Sequence, residues 1–396
     1  MVRKNSVDDS GEQGMTRELD HNQHSASPLN RAMRFRIEPN KAQRELLEKT
    51  FGSCRFLYNR MLSDKMLSDL TGEKIKITPA IYKKEFPWLR EVDSLALCNV
   101  QLDLERAFRD YRKVPGRGRP RYKSKHHNRR SYTTNVVNGN IRIEGKKIRL
   151  PRVGMVRIRI HRDIPEGWIL KSVTVVKEPM GKYYASLLYE LPESENQAKG
   201  KSREAGEKKY LGIDYAMDGL AVMSDGTKAD YPKYFRQAED KLAREQRKLS
   251  HCEKGSRNYE KQKRKVAVIH EKVKNQRKDF LHKLSRSLAD EYDIIGVEDI
   301  DMRAMSRSLH FGKSVTDNGY GMFRNMLSYK LEENGGELVK VDRFFPSSKR
   351  CSLCGRIKED LTLSDRIYRC CCGNCIDRDV NAAINIRMET MRLMAS

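Results

Sequence analysis

The sequence predicts a mixed α/β chain: a C-terminal α/β domain, preceded by an antiparallel β domain that carries a helical module. Two observations predict it. Apolar residues recur at helical spacing from about residue 40 to 113, at a period of two from 140 to 191, and then as short buried-strand runs alternating with helical stretches. The 396 residues also leave room for two or three domains, since one domain uses roughly 100–200.

Lysine and arginine outnumber the acids 79 to 54, giving a formal charge of +25 and a pI near 9.6. A field of that size draws polyanions and makes nucleic acid the leading partner. Anionic membranes draw basic chains too, but there is no run of about 18 apolar residues and no signal-peptide core. The expectation is a soluble, cytoplasmic protein with no membrane partner.

Residues 1–29 carry too little apolar surface to offset the entropy of ordering and read as a disordered tail. Met33, Phe35 and Ile37 alternate as a strand, and Asn40 with Gln43 forms a capping pair that opens a helix through Leu46, Leu47, Phe51, Cys54, Leu57, Tyr58, Met61 and Leu62. A second helix over 94–113 places Leu97, Leu104, Phe108 and Tyr111 on one side. VPGRGRPRYKSKHHNRR (114–130) follows, too rich in Gly and Pro for a helix. Its Arg117, Arg119, Arg121, Lys123, Lys125, Arg129 and Arg130 suit phosphate contacts; a merely solvated loop is the plain alternative.

From 140 to 191 the inward positions read Ile141, Ile143, Ile148, Leu150, Val156, Ile158, Ile160, Val173, Val175, Tyr184, Ser186 and Leu188. Arg142, Arg149, Arg157 and Arg159 take the opposite phase and give the sheet a cationic face. Residues 197–209 read as a linker.

Beyond it, KKYLGIDYAMDGLAVMSDG (208–226) reads as two apolar strands joined by a turn, with Asp214 interrupting the first. An acid there is costly unless paired or metal-bound. Glu298 ends a second buried run, Ile294, Ile295 and Val297, and DRDVNAAINI (377–386) opens a helix with acids first and Ala382 and Ala383 on its packing face. Hairpin, long helical segment, strand, helix at about 320–335, strand at Leu338–Phe345 and last helix follow the order of an RNase H-like fold, in which such acids converge. Carboxylates around two cations about 4 Å apart activate a water and stabilise the leaving oxygen of a phosphodiester. Oxygen ligands favour Mg2+ or Mn2+. Of two nearby aspartates we assign the third role to Asp379, leaving Asp377 as a helix cap or outer hydrogen-bond acceptor and Asp301 as surface. Between these acids, the basic helical region 234–291 would bury Val266, Ile269, Val273, Phe280, Leu284 and Leu288, and 302–321 reads as a mobile lid.

Six of nine cysteines fall in one short stretch, which means metal more often than disulfide. CSLCG (351–355) is a knuckle, and CCCGNC (370–375) completes a four-thiolate structural zinc site. We assign Cys351, Cys354, Cys370 and Cys372, with Cys375 as the alternate for the second pair. The site precedes the Asp379 helix directly, so its metal would help fix where that carboxylate points. Cys54, Cys98 and Cys252 are isolated, and Cys54 reads as a small buried apolar residue.

RFRIEPNKAQRELLEKTFGSCRFLYN, the GID at 212–214, RKDFLHKLS, GVED, FFPSSKRCSLCG and DRDVNAAINI together resemble the TnpB (OrfB) proteins of insertion sequences, relatives of compact type V CRISPR effectors. The likeness runs from about residue 31 to 390. It implies a RuvC-type, RNase H-like nuclease domain (206–345 and 376–396) using Asp214, Glu298 and Asp379, interrupted by a zinc ribbon (346–375). It further implies a β-barrel wedge domain (30–39 and 131–200) with an inserted helical recognition lobe (40–130). Similar proteins bind a guide RNA copied from the transposon end and cleave double-stranded DNA beside a short motif. The second cysteine pair departs from the family's usual spacing. A nuclease-silent repressor and a strand-joining transposase are the rival readings.

Overall fold

In the computed structural model, residues 30–125, 129–192, 207–217, 219–302, 317–362 and 364–395 are described. The tail at 1–29 and most of the linker and lid segments lie outside them.

Strand β1 (Asn30–Glu38) buries Phe35 and Ile37, as its alternation requires. Helix α1 (Lys41–Thr71) starts at the predicted capping box: Asn40 Oδ1 accepts from the Gln43 amide at 2.9 Å and Gln43 Oε1 from the Asn40 amide at 3.0 Å. Such a cap stabilises by about 1 kcal/mol. Gly72, at φ 73°, ends the helix in the left-handed turn that favours glycine. Helix α2 (Pro79–Glu85), too short to be visible as a period, precedes α3 (Ser94–Lys113). There Leu97, Leu104 and Phe108 are buried, but Tyr111 is exposed in the last turn beside Arg112 and Lys113.

Strands β2 (Arg130–Asn135), β3 (Arg142–Glu144), β4 (Lys147–Leu150), β5 (Gly154–Arg159), β6 (Ile169–Lys177) and β7 (Tyr183–Glu190) join β1 in one sheet, ordered β2-β6-β7-β1-β5-β4-β3. That order has two ends, β2 and β3, so among the described residues backbone pairing does not close it into the expected barrel. The inward phase of β7 is the reverse of the predicted one: Tyr183, Ala185, Leu187 and Tyr189 are buried, not Tyr184, Ser186 and Leu188. Both phases of YYASLLYE carry apolar groups, so the alternation is ambiguous. Pairing decides it, setting Ala185 opposite the buried Phe35 and Tyr183 opposite Ile37. Ile160, just past β5, is exposed, while the four arginines do face outward. Helices and sheet share one core, in which Leu47, Leu57 and Leu97 meet Phe35, Val156 and Val175.

In the second half, β8 (Tyr210–Ala216) pairs antiparallel with β9 (Leu220–Met223) and parallel with β10 (Ile294–Glu298), which pairs parallel with β11 (Glu337–Val341). A bridge from Val222 to Lys228 adds the rudiment of a further antiparallel strand. Strand β11 stops at Val341, short of the predicted Phe345, because Asp342 closes a turn on the Phe344 amide at 2.7 Å. Helices α4 (Tyr234–Ser250) and α5 (Arg257–Glu291) form a hairpin. Ile269, Val273 and Leu288 of the predicted stripe are buried, and Leu281 rather than Phe280 reaches deepest. With α6 (Tyr320–Glu333), α5 covers the face bearing Leu211, Ile213, Ile295 and Val297. The hairpin of β12 (Ile367–Arg369) and β13 (Cys375–Asp377) leads into α7 (Arg378–Ala395), which packs on β8 and β10. Among the described residues no helix is long and apolar enough to cross a membrane.

Candidate active site and metal centre

Alternation along β8 puts Gly212 and Asp214 on one face and Leu211 and Ile213 on the other; β10 repeats this with Gly296 and Glu298. The glycines are what let α7 approach. A Cβ at Gly212 would fall 2.1 Å from the Ala383 carbonyl oxygen and 2.5 Å from the Arg387 nitrogen; one at Gly296 would fall 1.8 Å from Thr390 Oγ1. The later turns of α7 therefore rest on the glycines, and its first turn, with Asp379, reaches the strand ends where Asp214 and Glu298 stand. Sequence reasoning passed over these glycines, although glycine two residues before an acid in both GID and GVE was the signal.

Burial pushes the Asp214 carboxyl well above its usual range, and the neighbouring charges of Asp379 and Glu298 push it further, against the opposing pull of Arg378 and the Tyr215 amide. Burial raises Glu298 as well. The three assigned acids therefore share one electrostatic neighbourhood. Asp379 is bonded to the Arg378 guanidinium at 3.1 Å. Asp377 is engaged differently: its Oδ1 accepts from the Asp379 and Val380 amides at 2.9 and 3.2 Å, and Lys228 Nζ lies 3.0 Å from its other oxygen. It caps α7. Burial alone would raise its carboxyl, but these partners hold it below the usual range. Asp301 is exposed. No sequence pattern singles out Tyr320, fully buried against Tyr215 with ring centroids 4.6 Å apart, whose hydroxyl has no hydrogen-bond partner among the described residues. Carboxylate oxygens are the donors a hard divalent cation such as Mg2+ or Mn2+ takes, but the three carboxylates are not gathered within 4.8 Å of one another.

The thiols of Cys351, Cys354, Cys370 and Cys372 lie within 4.8 Å of one another, the one such His, Cys, Asp or Glu set among the described residues. Cys375 is exposed outside it, and Cys371 turns instead to Arg356, 3.0 Å away. Burial alone would raise the Cys351 thiol, but the Cys354 and Leu353 amides and the Asn374 side chain bring it down to about 6. Four sulfurs in this arrangement could hold a structural zinc ion.

The basic segment divides. Arg117, Arg119, Arg121, Lys125 and Arg129 are exposed, with Arg119 3.6 Å from Asp69. Lys123 lies over the Tyr58 ring at 3.8 Å, its backbone clasped by Asn59, and Arg130 pairs with Glu48 at 3.1 Å. A cavity of about 210 Å³ opens here, lined by Arg55, Lys123, Lys125, Arg129 and Arg130.

A family described as "Probable transposase" (OrfB, IS605) matches residues 186–309, "Cas12f1-like, TNB domain" matches 320–386, and "Helix-turn-helix domain" matches 27–66. Over that last span the described residues form β1 and the first part of a single helix. The chain is 34% identical over 369 residues to a "Putative RNA-guided DNA endonuclease" of Streptomyces pristinaespiralis, spanning 90% of this chain and 89% of the relative. It is 29% identical to a protein of the same description, InsQ of Escherichia coli (strain K12), over 90% and 91% of the two chains. Among solved structures, the Cas12f1 protein in a Cas12f1-sgRNA-target DNA complex superposes with a TM-score of 0.54 at 12% identity, over 91% of this chain and 99% of that one.

Proposed function

The chain belongs to the TnpB (OrfB) family of RNA-guided DNA endonucleases, and from that premise we propose that it cuts DNA at Asp214, Glu298 and Asp379 by RuvC-type, metal-dependent hydrolysis. The observation that supports this is electrostatic: burial raises Asp214, and the charges of Asp379 and Glu298, brought near by a helix and a second strand, raise it further, although the three carboxylates are not gathered within 4.8 Å as the thiols are. Divalent cations held there would supply an activated water and neutralise charge on the leaving oxygen. The chain's own residues do the placing: β8 and β10 fix two carboxylates, and Asp377 caps the helix that brings the third. Zinc on Cys351, Cys354, Cys370 and Cys372 would hold the ribbon together and touch no substrate.

The guide is an RNA copied from the transposon end and the target is double-stranded DNA beside a short motif. RNA and DNA partners are supported by the solved Cas12f1 complex that this fold resembles. Delegating sequence recognition to base pairing suits a protein with so many lysines and arginines, since it needs only to hold backbones and heteroduplex shape. We assign that work to Arg117, Arg119, Arg121, Lys123, Lys125, Arg129 and Arg130, of which Lys123 also lies over Tyr58 and Arg130 also pairs with Glu48. The test is to express the chain with its native flanking DNA, purify it and sequence what copurifies. A discrete RNA is expected; its absence would defeat the guided reading.

A further inference from the structure

Helix α7 is joined to the cysteine ribbon twice. One junction is covalent, through β13. The other is made by two side chains one helical turn apart, Asn381 and Asn385, both completely or almost completely buried. Asn381 Oδ1 accepts from the Ser352 amide at 2.9 Å, and its Nδ2 donates to the Arg350 carbonyl at 2.7 Å. Asn385 Nδ2 donates to that same carbonyl at 2.6 Å and to the Ser347 carbonyl at 2.8 Å. The residue held between Arg350 and Ser352 is Cys351, the buried member of the thiolate set, which also accepts from Asn374 at 3.4 Å. Asn381 stands two residues after Asp379.

We propose that Asn381 and Asn385 are positioning residues: they clamp the Cys351 knuckle to α7 and so set the place of the Asp379 carboxylate relative to Asp214 and Glu298. This rests on the nuclease reading above and adds to it the route by which the ribbon acts on the acid site. The physical case is one of bonding to backbone and rigidity. Buried amides are costly unless bonded; between them the two make four bonds, all to the backbone of one short loop, and of their polar atoms Asn385 Oδ1 has no hydrogen-bond partner among the described residues. Backbone acceptors and donors do not move with a rotamer, so the clamp holds the helix at a fixed height on Gly212 and Gly296. Simple packing would need only apolar groups here. Side chains that orient a metal ligand from behind typically alter metal affinity or activity by about 10–100-fold when removed.

The experiment compares the full chain with Asn381→Ala, Asn385→Ala and Asn381→Asp, the last keeping the bond from Ser352 and losing the one to Arg350. Zinc content, melting temperature, Mn2+ binding by electron paramagnetic resonance and the Mn2+ dependence of target cleavage by the copurified RNA complex are measured. Each alanine variant is expected to keep its zinc and its fold but to need about tenfold more Mn2+, in binding as in cleavage, with Asn381→Asp between it and the parent. Folded, zinc-loaded alanine variants with unchanged Mn2+ demand would overturn the proposal. If alanine unfolds the chain, the parent-to-Asn381→Asp shift decides alone, and no shift overturns it. Asp379→Ala runs alongside: if that variant still cuts, the nuclease assignment itself has failed, which is a different result from an inert clamp.

Discussion

The thiolate and carboxylate sites are built in opposite ways. The four thiols come from two short segments about twenty residues apart, and local turns bring them within 4.8 Å of one another. The three carboxylates come from β8, β10 and α7, each separated from the next by a whole helical segment, and they come near enough to act on one another's charge only because the sheet and helix have already assembled. Backbone amides favour charge on Cys351, while burial and like charge oppose it on Asp214. Local turns suffice to gather the one site; the other needs the assembled sheet and helix.

Substitutions can break that contrast. The largest effect is expected at the acids: Asp214→Ala, Glu298→Ala and Asp379→Ala should each lower the cleavage rate by ~10³-fold or more while leaving the chain folded. Asp377→Ala, which loses a cap, should cost about 1 kcal/mol of stability and a much smaller factor in rate. Equal losses at 377 and 379, in single-turnover assays, would reverse the assignment.

At the thiolate site the order of effects should invert, with stability lost before chemistry. Cys354→Ser and Cys372→Ser are expected to abolish zinc binding and loosen the ribbon, since a structural zinc ion contributes ~10 kcal/mol or more to a small domain. Cys375→Ser should retain zinc. Metal analysis of the purified variants separates these outcomes, and loss of zinc from Cys375→Ser would move the ligand set.

Smaller effects should come from the glycines under α7. Gly212→Ala meets backbone atoms that cannot turn aside and should destabilise by ~2–3 kcal/mol. Gly296→Ala meets the Thr390 hydroxyl, which a rotamer change can move, and should cost less. Denaturant unfolding measures both.

The smallest effect is a pH dependence. A carboxyl raised by burial keeps its proton in the folded chain at pH values where the unfolded chain has released it. Stability is therefore lost as pH rises from the ordinary carboxylate range through the raised folded value. Without added Mg2+ or Mn2+, Asp214→Asn should melt above the parent chain at neutral pH, with the gap closing towards pH ~4. Added Mg2+ should raise the parent's melting temperature and leave the variant's unchanged.

Much of this was legible from the chain alone. The capping box at Asn40, the outward arginines of the sheet, the acids interrupting apolar strands and the clustered cysteines are local patterns, each read within a few residues of itself. Those signals survive because propensity, period and ligand spacing act over short distances. What the tertiary structure alone decided depends on partners distant in sequence. The facing of β7 was set by Phe35 and Ile37 of β1, and the work of Lys123 by Tyr58 and Asn59. Cys372 rather than Cys375 joins the thiolate set because its sulfur lies within 4.8 Å of the other three, although both residues are exposed. The three acids show both levels at once. Their identities stand in the sequence, but the approach of Asp379 to Asp214 depends on two glycines with no side chain to hold α7 away.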